Sequence, residues 1–167
     1  MRCALLVLAA CSNAADPSHD GPLPPIDAAL ADVVDAAAAL RILVVNEVAA
    51  GETPDWFEVV NATASPIQLD QFVYVDIAGD FIKARPFPAM TLAPGAYYAQ
   101  DVDDTISGFK LGSDEELWVY RASDHAVSDG VDWAEGAAAA GMSYARSPTI
   151  FGPFMTTSMV TKGAANP

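Results

Sequence analysis

Cysteine is nearly absent from this chain of 167 residues: Cys3 and Cys11 are the only two, and both fall in the first eleven positions. A domain built from the residues after Cys11 therefore has neither a disulfide frame nor a cysteine nucleophile. Histidine is equally scarce, with His19 and His125 alone, which argues against a structural zinc site, since these are built mainly from Cys and His. Basic residues number 8 against 22 carboxylates, for a formal net charge of −14. A surface that acidic repels phosphate backbones and anionic headgroups, and no basic cluster interrupts it, so nucleic-acid binding is not expected. Also missing are any apolar run near the roughly 20 residues that span a bilayer and, after Leu40, any long helical periodicity.

What is present begins at the N-terminus. Arg2, an apolar core over 4–8 and the small pair Ala9-Ala10 supply, in order, the parts of a secretory signal. Leu8-Ala9-Ala10-Cys11 resembles the lipobox of bacterial lipoproteins. That resemblance implies removal of 1–10 as a signal peptide and attachment of a diacylglycerol to the Cys11 thiol, so that the membrane is a partner through acylated Cys11. Several acyl chains on one residue hold stably, where a single chain binds only marginally. Ser12 stands where inner-membrane lipoproteins often carry Asp, which implies the outer membrane of a bacterial envelope; an ordinary cleaved signal on a secreted protein is the alternative. Residues 11–40 read as a tether. Asp16, Asp20, Asp27, Asp32 and Asp35 repel one another with no Lys or Arg between them, Pro17, Pro22, Pro24 and Pro25 stiffen the first half, and the Ala-rich 27–40 suits a fraying helix.

Residues 41–167 read as one domain, with seventeen carboxylates against seven basic residues. Its length suffices to bury roughly two-thirds of the unfolded surface without staples. Short β-branched and aromatic segments recur at 42–48, 56–61, 72–77, 97–100, 117–121 and 131–133, separated by Gly, Pro, Asn and Asp. This spacing predicts an all-β sandwich. In 55–61 both alternating faces are largely apolar, which predicts a central strand, and Ala93-Pro94-Gly95 predicts a turn.

The order of these segments resembles the lamin tail domain family. The resemblance runs through Val45-Asn46-Glu47-Val48, Asp55-Trp56-Phe57-Glu58-Val59-Val60-Asn61, Ile67-Gln68-Leu69, 92–98, and Phe109-Lys110-Leu111-Gly112 leading into 115–120. It closes with 143–148, Phe154 and Thr161-Lys162-Gly163-Ala164-Ala165-Asn166. Gln71-Phe72, Ala145 and Lys162 depart from the family's usual Gly-Trp, Gly and Pro. The resemblance implies an immunoglobulin-like β-sandwich whose shared residues are structural rather than catalytic.

Candidate sites are few. Glu47 and Glu58 sit on strands expected to be buried, where a carboxylate needs a partner, and Arg146 or Asn46 is available to each. Asp101, Asp103 and Asp104 share an expected loop, with Asp76, Asp80, Asp114, Glu115, Glu116, Asp124 and Asp129 in other turns. They are the calcium candidates, since hard cations want several oxygens. A helix–loop–helix calcium motif is rejected, because Ile106 stands where Gly is needed and Gly112 where a bidentate Glu is needed. Ser143 lacks the setting of a nucleophile elbow. The tryptophans and tyrosines suit a sandwich core better than sugar stacking, and Phe151 and Phe154 are the exposed-loop binding candidates. The expected function is a non-enzymatic, surface-anchored module for an envelope or extracellular protein or glycan partner. No catalytic residue and no cofactor beyond calcium is assigned. The competing class is a carboxylate-dependent hydrolase, or an accessory domain of a secreted hydrolase, which would show as carboxylates converging in one concave pocket.

Overall fold

The computed structural model describes residues 41–167. The expected signal peptide (1–10), Cys11 and the expected tether (11–40), with its expected fraying helix, lie outside the described residues. No helix among the described residues is long and apolar enough to cross a membrane.

The fold is all-β, built of antiparallel sheets as the spacing predicts. Its strands are β1 (Leu43–Ala49), β2 (Asp55–Asn61), β3 (Ile67–Gln68), β4 (Phe72–Val75), β5 (Arg85–Pro86), β6 (Thr91–Leu92), β7 (Tyr97–Val102), β8 (Glu115–Arg121), β9 (Val127–Trp133), β10 (Ser143–Arg146) and β11 (Phe154–Thr157). They form a five-stranded sheet in the order β11-β10-β1-β2-β7, a four-stranded sheet β5-β4-β8-β9, and the small pair β3-β6. β1 and β2 hold the middle of the larger sheet, and every residue in both is buried. A strand covered on both faces selects a near-continuous apolar run, which is what Leu43-Val44-Val45 and Trp56-Phe57 provide.

The inner faces of the two large sheets share one core, in which Leu43, Val45, Phe57 and Val59 meet Tyr74, Leu117, Val119, Val131 and Trp133. The Phe57 ring meets Tyr74 edge-on at 5.1 Å between centroids, and Tyr74 meets Phe109 the same way at 6.0 Å, the arrangement that ring quadrupoles favour. β10 pairs with β1 only at Glu47 and Val48, which leaves N–H groups earlier in β1 without a strand partner. Side chains of the other sheet supply them. Ser128 Oγ accepts from Leu43 N–H at 2.9 Å and an Asp129 carboxylate oxygen accepts from Val45 N–H at 2.9 Å. Buried backbone donors are thus satisfied across the sheets.

Several expectations change here. Asp129, Glu115 and Glu116 are strand residues of β9 and β8, not turn residues. Asp101 lies in β7 rather than in the loop after it, and Phe154 opens β11 rather than sitting in a loop. The Ala93-Pro94-Gly95 turn forms as expected: Ala96 N–H donates to the Ala93 carbonyl at 3.0 Å, with Gly95 at φ 68°, the type II geometry that Pro and Gly favour in those two places. Gly130 interrupts β9 for a different reason. A Cβ there would stand 2.4 Å from Cε3 of Trp118, so the indole lies directly on the glycine backbone.

Candidate functional site

The most polar part of the interior is on the outer face of the larger sheet. Glu47 and Glu58 face each other across β1 and β2, and both are 0% exposed. Glu58 accepts from Asn46 Nδ2 at 2.8 Å and from Gly163 N–H. Glu47 accepts from the Ser143 hydroxyl, from Thr161 Oγ1 at 2.7 Å and from Thr161 N–H at 3.2 Å. Residues 161–166 therefore lie over the carboxylate pair and cover it with donors. Lys162 makes an ion pair with Asp101 and holds its ammonium 5.2 Å from the centre of the Trp56 ring. Asn166 Nδ2 completes the closure by donating to the carbonyls of Asn46 at 3.1 Å and Arg146 at 2.8 Å. Burial is the main force on Glu58: it pushes the carboxyl up from 4.5 to about 7, against the bonds from Asn46 and Gly163, with repulsion from Glu47 adding to the rise.

Of the two partners expected for these carboxylates, Asn46 takes Glu58 and Arg146 takes neither. Alternation explains the difference. Ala145 is paired with Glu47, so Ser143 and Ala145 share its face while Tyr144 and Arg146 point to the other. There Arg146 meets Asp129, with Nη2 at 2.9 and 3.2 Å from the two carboxylate oxygens. Its Nε donates to the Val45 carbonyl at 2.8 Å, and its guanidinium lies 4.3 Å over the Phe154 ring. Arg41 Nε approaches the same carboxylate at 3.5 Å. Burial raises the Asp129 carboxyl and lowers the Arg146 guanidinium, while their mutual attraction limits both shifts. Asp129 and Thr161 are functional to the fold in a way that sequence reading missed. Both sit among Ser, Asp, Gly and Thr residues that read as loop, and only their partners reveal them.

The calcium candidates are not brought together. Asp101 is bound to Lys162, and Lys110 reaches Asp104 at 3.3 Å. Asp103 caps its own turn by accepting from the N–H groups of Thr105 at 2.6 Å and Ile106 at 2.7 Å, and the Thr105 hydroxyl bond is the main reason its carboxyl is lowered. Among the described residues no group of three or more His, Cys, Asp or Glu side chains is placed to hold a metal ion. Asp103 and Asp104 do border an open cleft of about 500 Å³ with Glu52, Asp55 and Lys110. Asp55 is raised there by burial and accepts from Leu111 N–H at 3.2 Å.

The loop candidates divide. Phe151 is 53% exposed, whereas the Phe154 ring stacks on Tyr144 at 5.2 Å. Trp56, Trp133, Tyr74 and Tyr120 are buried, and Trp118, Tyr97, Tyr98 and Tyr144 keep partial exposure. His125 turns the chain at φ 57° and stacks on Phe81 at 3.8 Å. Ser143 spends its proton on Glu47.

Thr161→Ala is expected to cost about 1–3 kcal/mol, because it strips a donor from a buried carboxylate. Urea midpoints check this, and Thr161→Ser, which restores the hydroxyl, should recover most of the loss. No family model matches the chain, and no curated protein and no solved structure matches it either.

Proposed function

We propose that this chain is a non-enzymatic lipoprotein of the bacterial envelope, displaying one lamin-tail-like, immunoglobulin-like sandwich to protein or glycan partners. The observation that carries the reading is what becomes of the buried carboxylates. Glu47, Glu58 and Asp129 are each consumed by donors of the fold itself, so none is free to act as a general base. Hydrolytic chemistry needs such groups converging on a substrate cavity. Four other carboxylates do border the acidic cleft, and each is engaged within the fold: Asp103 by Thr105 and Ile106, Asp104 by Lys110, Asp55 by Leu111 N–H and Glu52 by Gly141 N–H.

Support for the lamin-tail likeness comes from Glu47, Glu58 and their partners. Six of the residues that carry the resemblance are polar partners of one another where 161–166 cover the carboxylate pair: Asn46, Glu47, Glu58, Thr161, Gly163 and Asn166. Asn61 ties the following loop, donating to the carbonyls of Ser65 at 2.8 Å and Leu92 at 3.0 Å. These bonds give the shared residues a structural role, and binding is assigned to loops and exposed faces.

The address is tested by palmitate-analogue incorporation and membrane fractionation in a bacterial host, for wild type and Cys11→Ala. Wild type is expected to label and sediment with membranes, and the variant to do neither. A wild type that is unlabelled and soluble overturns the anchored reading and leaves a secreted domain.

A further inference from the structure

The two large sheets treat their outer tryptophans differently. On the larger sheet Trp56 pairs across the strands with Asp101, and the Lys162 ammonium sits between ring and carboxylate. Trp56 is 3% exposed as a result. This is a lysine-binding arrangement, filled by the chain's own residues 161–166.

The four-stranded sheet presents a similar indole and carboxylates with no lysine over them among the described residues. Trp118 of β8 lies flat on Gly130 of β9. Its Nε1 donates to Glu116 at 2.7 Å, and the other oxygen of Glu116 accepts from Ala78 N–H at 2.7 Å, so the ring is fixed in rotation as well as in height. Tyr120 stacks beside it at 6.4 Å and is itself held by Gly79 N–H at 3.0 Å. Asp132 stands across from Glu116, diagonal to the indole, and is exposed. Diagonal neighbours in a ladder remain within reach of one long side chain. Burial, then repulsion from Glu116 and Asp114, raises the Asp132 carboxyl, which marks a local excess of negative charge. No basic residue among the described residues relieves it. Arg41 and Arg146 are held by Asp129, Lys83 by Asp80, Lys110 by Asp104, Arg121 by Asp124, Lys162 by Asp101 and Arg85 by the Ser107 carbonyl.

We infer that the Trp118 face, with Glu116 and Asp132, is a docking site for a lysine-bearing segment of a partner polypeptide. The inference rests on the binding-module reading above and names the chemistry of its partner. A cation over an indole gains from the ring quadrupole, and the exposed Asp132 carboxylate adds a direct ion pair, while Glu116, engaged by Trp118 and Ala78, adds negative charge beside it. Because Gly130 and Glu116 already hold the ring, little side-chain freedom is lost on binding. Neutral or acidic segments lack the attraction, and the overall charge of −14 speeds the approach of basic ones.

The test is an NMR titration of the full chain with N-acetylated tetralysine amide, following the indole N–H signals. The Trp118 signal is expected to move saturably, with binding weakened by salt. Asp132→Lys places a lysine of the protein's own on the exposed rim and should weaken binding about fivefold or more; Trp118→Leu should do so by a similar factor. If Trp118→Leu fails to fold, Asp132→Lys carries the test, since its position is exposed. Binding of equal strength in wild type and Asp132→Lys, with no Trp118 shift, would mean diffuse attraction to net charge and overturns the site. A Trp118 signal moved by an N-acetylglucosamine oligomer and not by tetralysine overturns it in favour of a glycan platform. Neither failure alters the Cys11 labelling result, which tests the address separately.

Discussion

Asp129→Ala is expected to remove about 3–5 kcal/mol of stability, the range for breaking a buried ion pair, which is a large share of a whole margin of about 5–15 kcal/mol. The Asp129 side chain is 1% exposed and that of Arg146 is 6% exposed. Alanine would leave the guanidinium charged in the interior and would orphan the Val45 N–H, which donates to the same carboxylate. The size of the loss comes from those uncompensated groups rather than from the pair's own net attraction. Replacing both partners with apolar side chains of similar volume, Asp129→Leu with Arg146→Met, removes the uncompensated charge but leaves the Val45 N–H and carbonyl without these partners, so it should recover only part of the Asp129→Ala loss. A double-mutant cycle read by urea midpoints measures the coupling. An Asp129→Ala midpoint close to wild type would show that the pair does not carry the junction between the sheets.

Glu58 makes stability depend on pH in an unusual direction. Its carboxyl is raised from 4.5 to about 7 in the folded state, so the folded protein holds a proton that the unfolded chain has released. Between those values the folded state binds more protons, and stability falls as pH rises. The difference corresponds to about 3 kcal/mol at about 1.36 kcal/mol per pH unit. Burial raises Asp55, Glu115 and Asp132 as well, and they act in the same sense. Asp103 and Asp124 are lowered from 3.8 and act oppositely, below the window concerned. The expected result is a higher melting temperature at pH 5 than at pH 8. Glu58→Gln should flatten that dependence, since it has no proton to release. It keeps one acceptor for the two donors of Asn46 and Gly163, so it should also lower the melting temperature at pH 5. A wild-type profile that rises from pH 5 to pH 8 would show that Glu58 is ionised throughout.

Much of the sandwich is legible in the sequence, for physical reasons that particular strands illustrate. β1 and β2 announce themselves because burial on both faces demands apolar residues at nearly every position, and Glu47 and Glu58 stand out against that background as groups needing partners. β9 is harder. Its first half, Val127-Ser128-Asp129-Gly130, has the composition of a turn, yet its polar members are bound by β1, Ser128 by Leu43 and Asp129 by Val45, and the indole of the neighbouring strand covers Gly130. Local propensity cannot see the β1 partners, which lie 85 and 84 positions away. Phe154 reads as loop because Gly152-Pro153 precede it, and it becomes strand because β10 offers an edge. Lys162 looks like a departure from a family motif, and its reason appears only when Trp56 and Asp101 are seen beneath it. The acidic loop is legible as acidic, but not that each carboxylate in it already has its own donor.

The bonds from Thr161 to Glu47 and from Gly163 to Glu58 join residues 114 and 105 positions apart. Synthesis runs from N- to C-terminus, so β1 and β2 are made long before the residues that cover them. Until 161–166 follow, the two strands carry adjacent carboxylates without those donors. Closing this face of the sheet therefore depends on a long-range search, the kind of contact that slows folding.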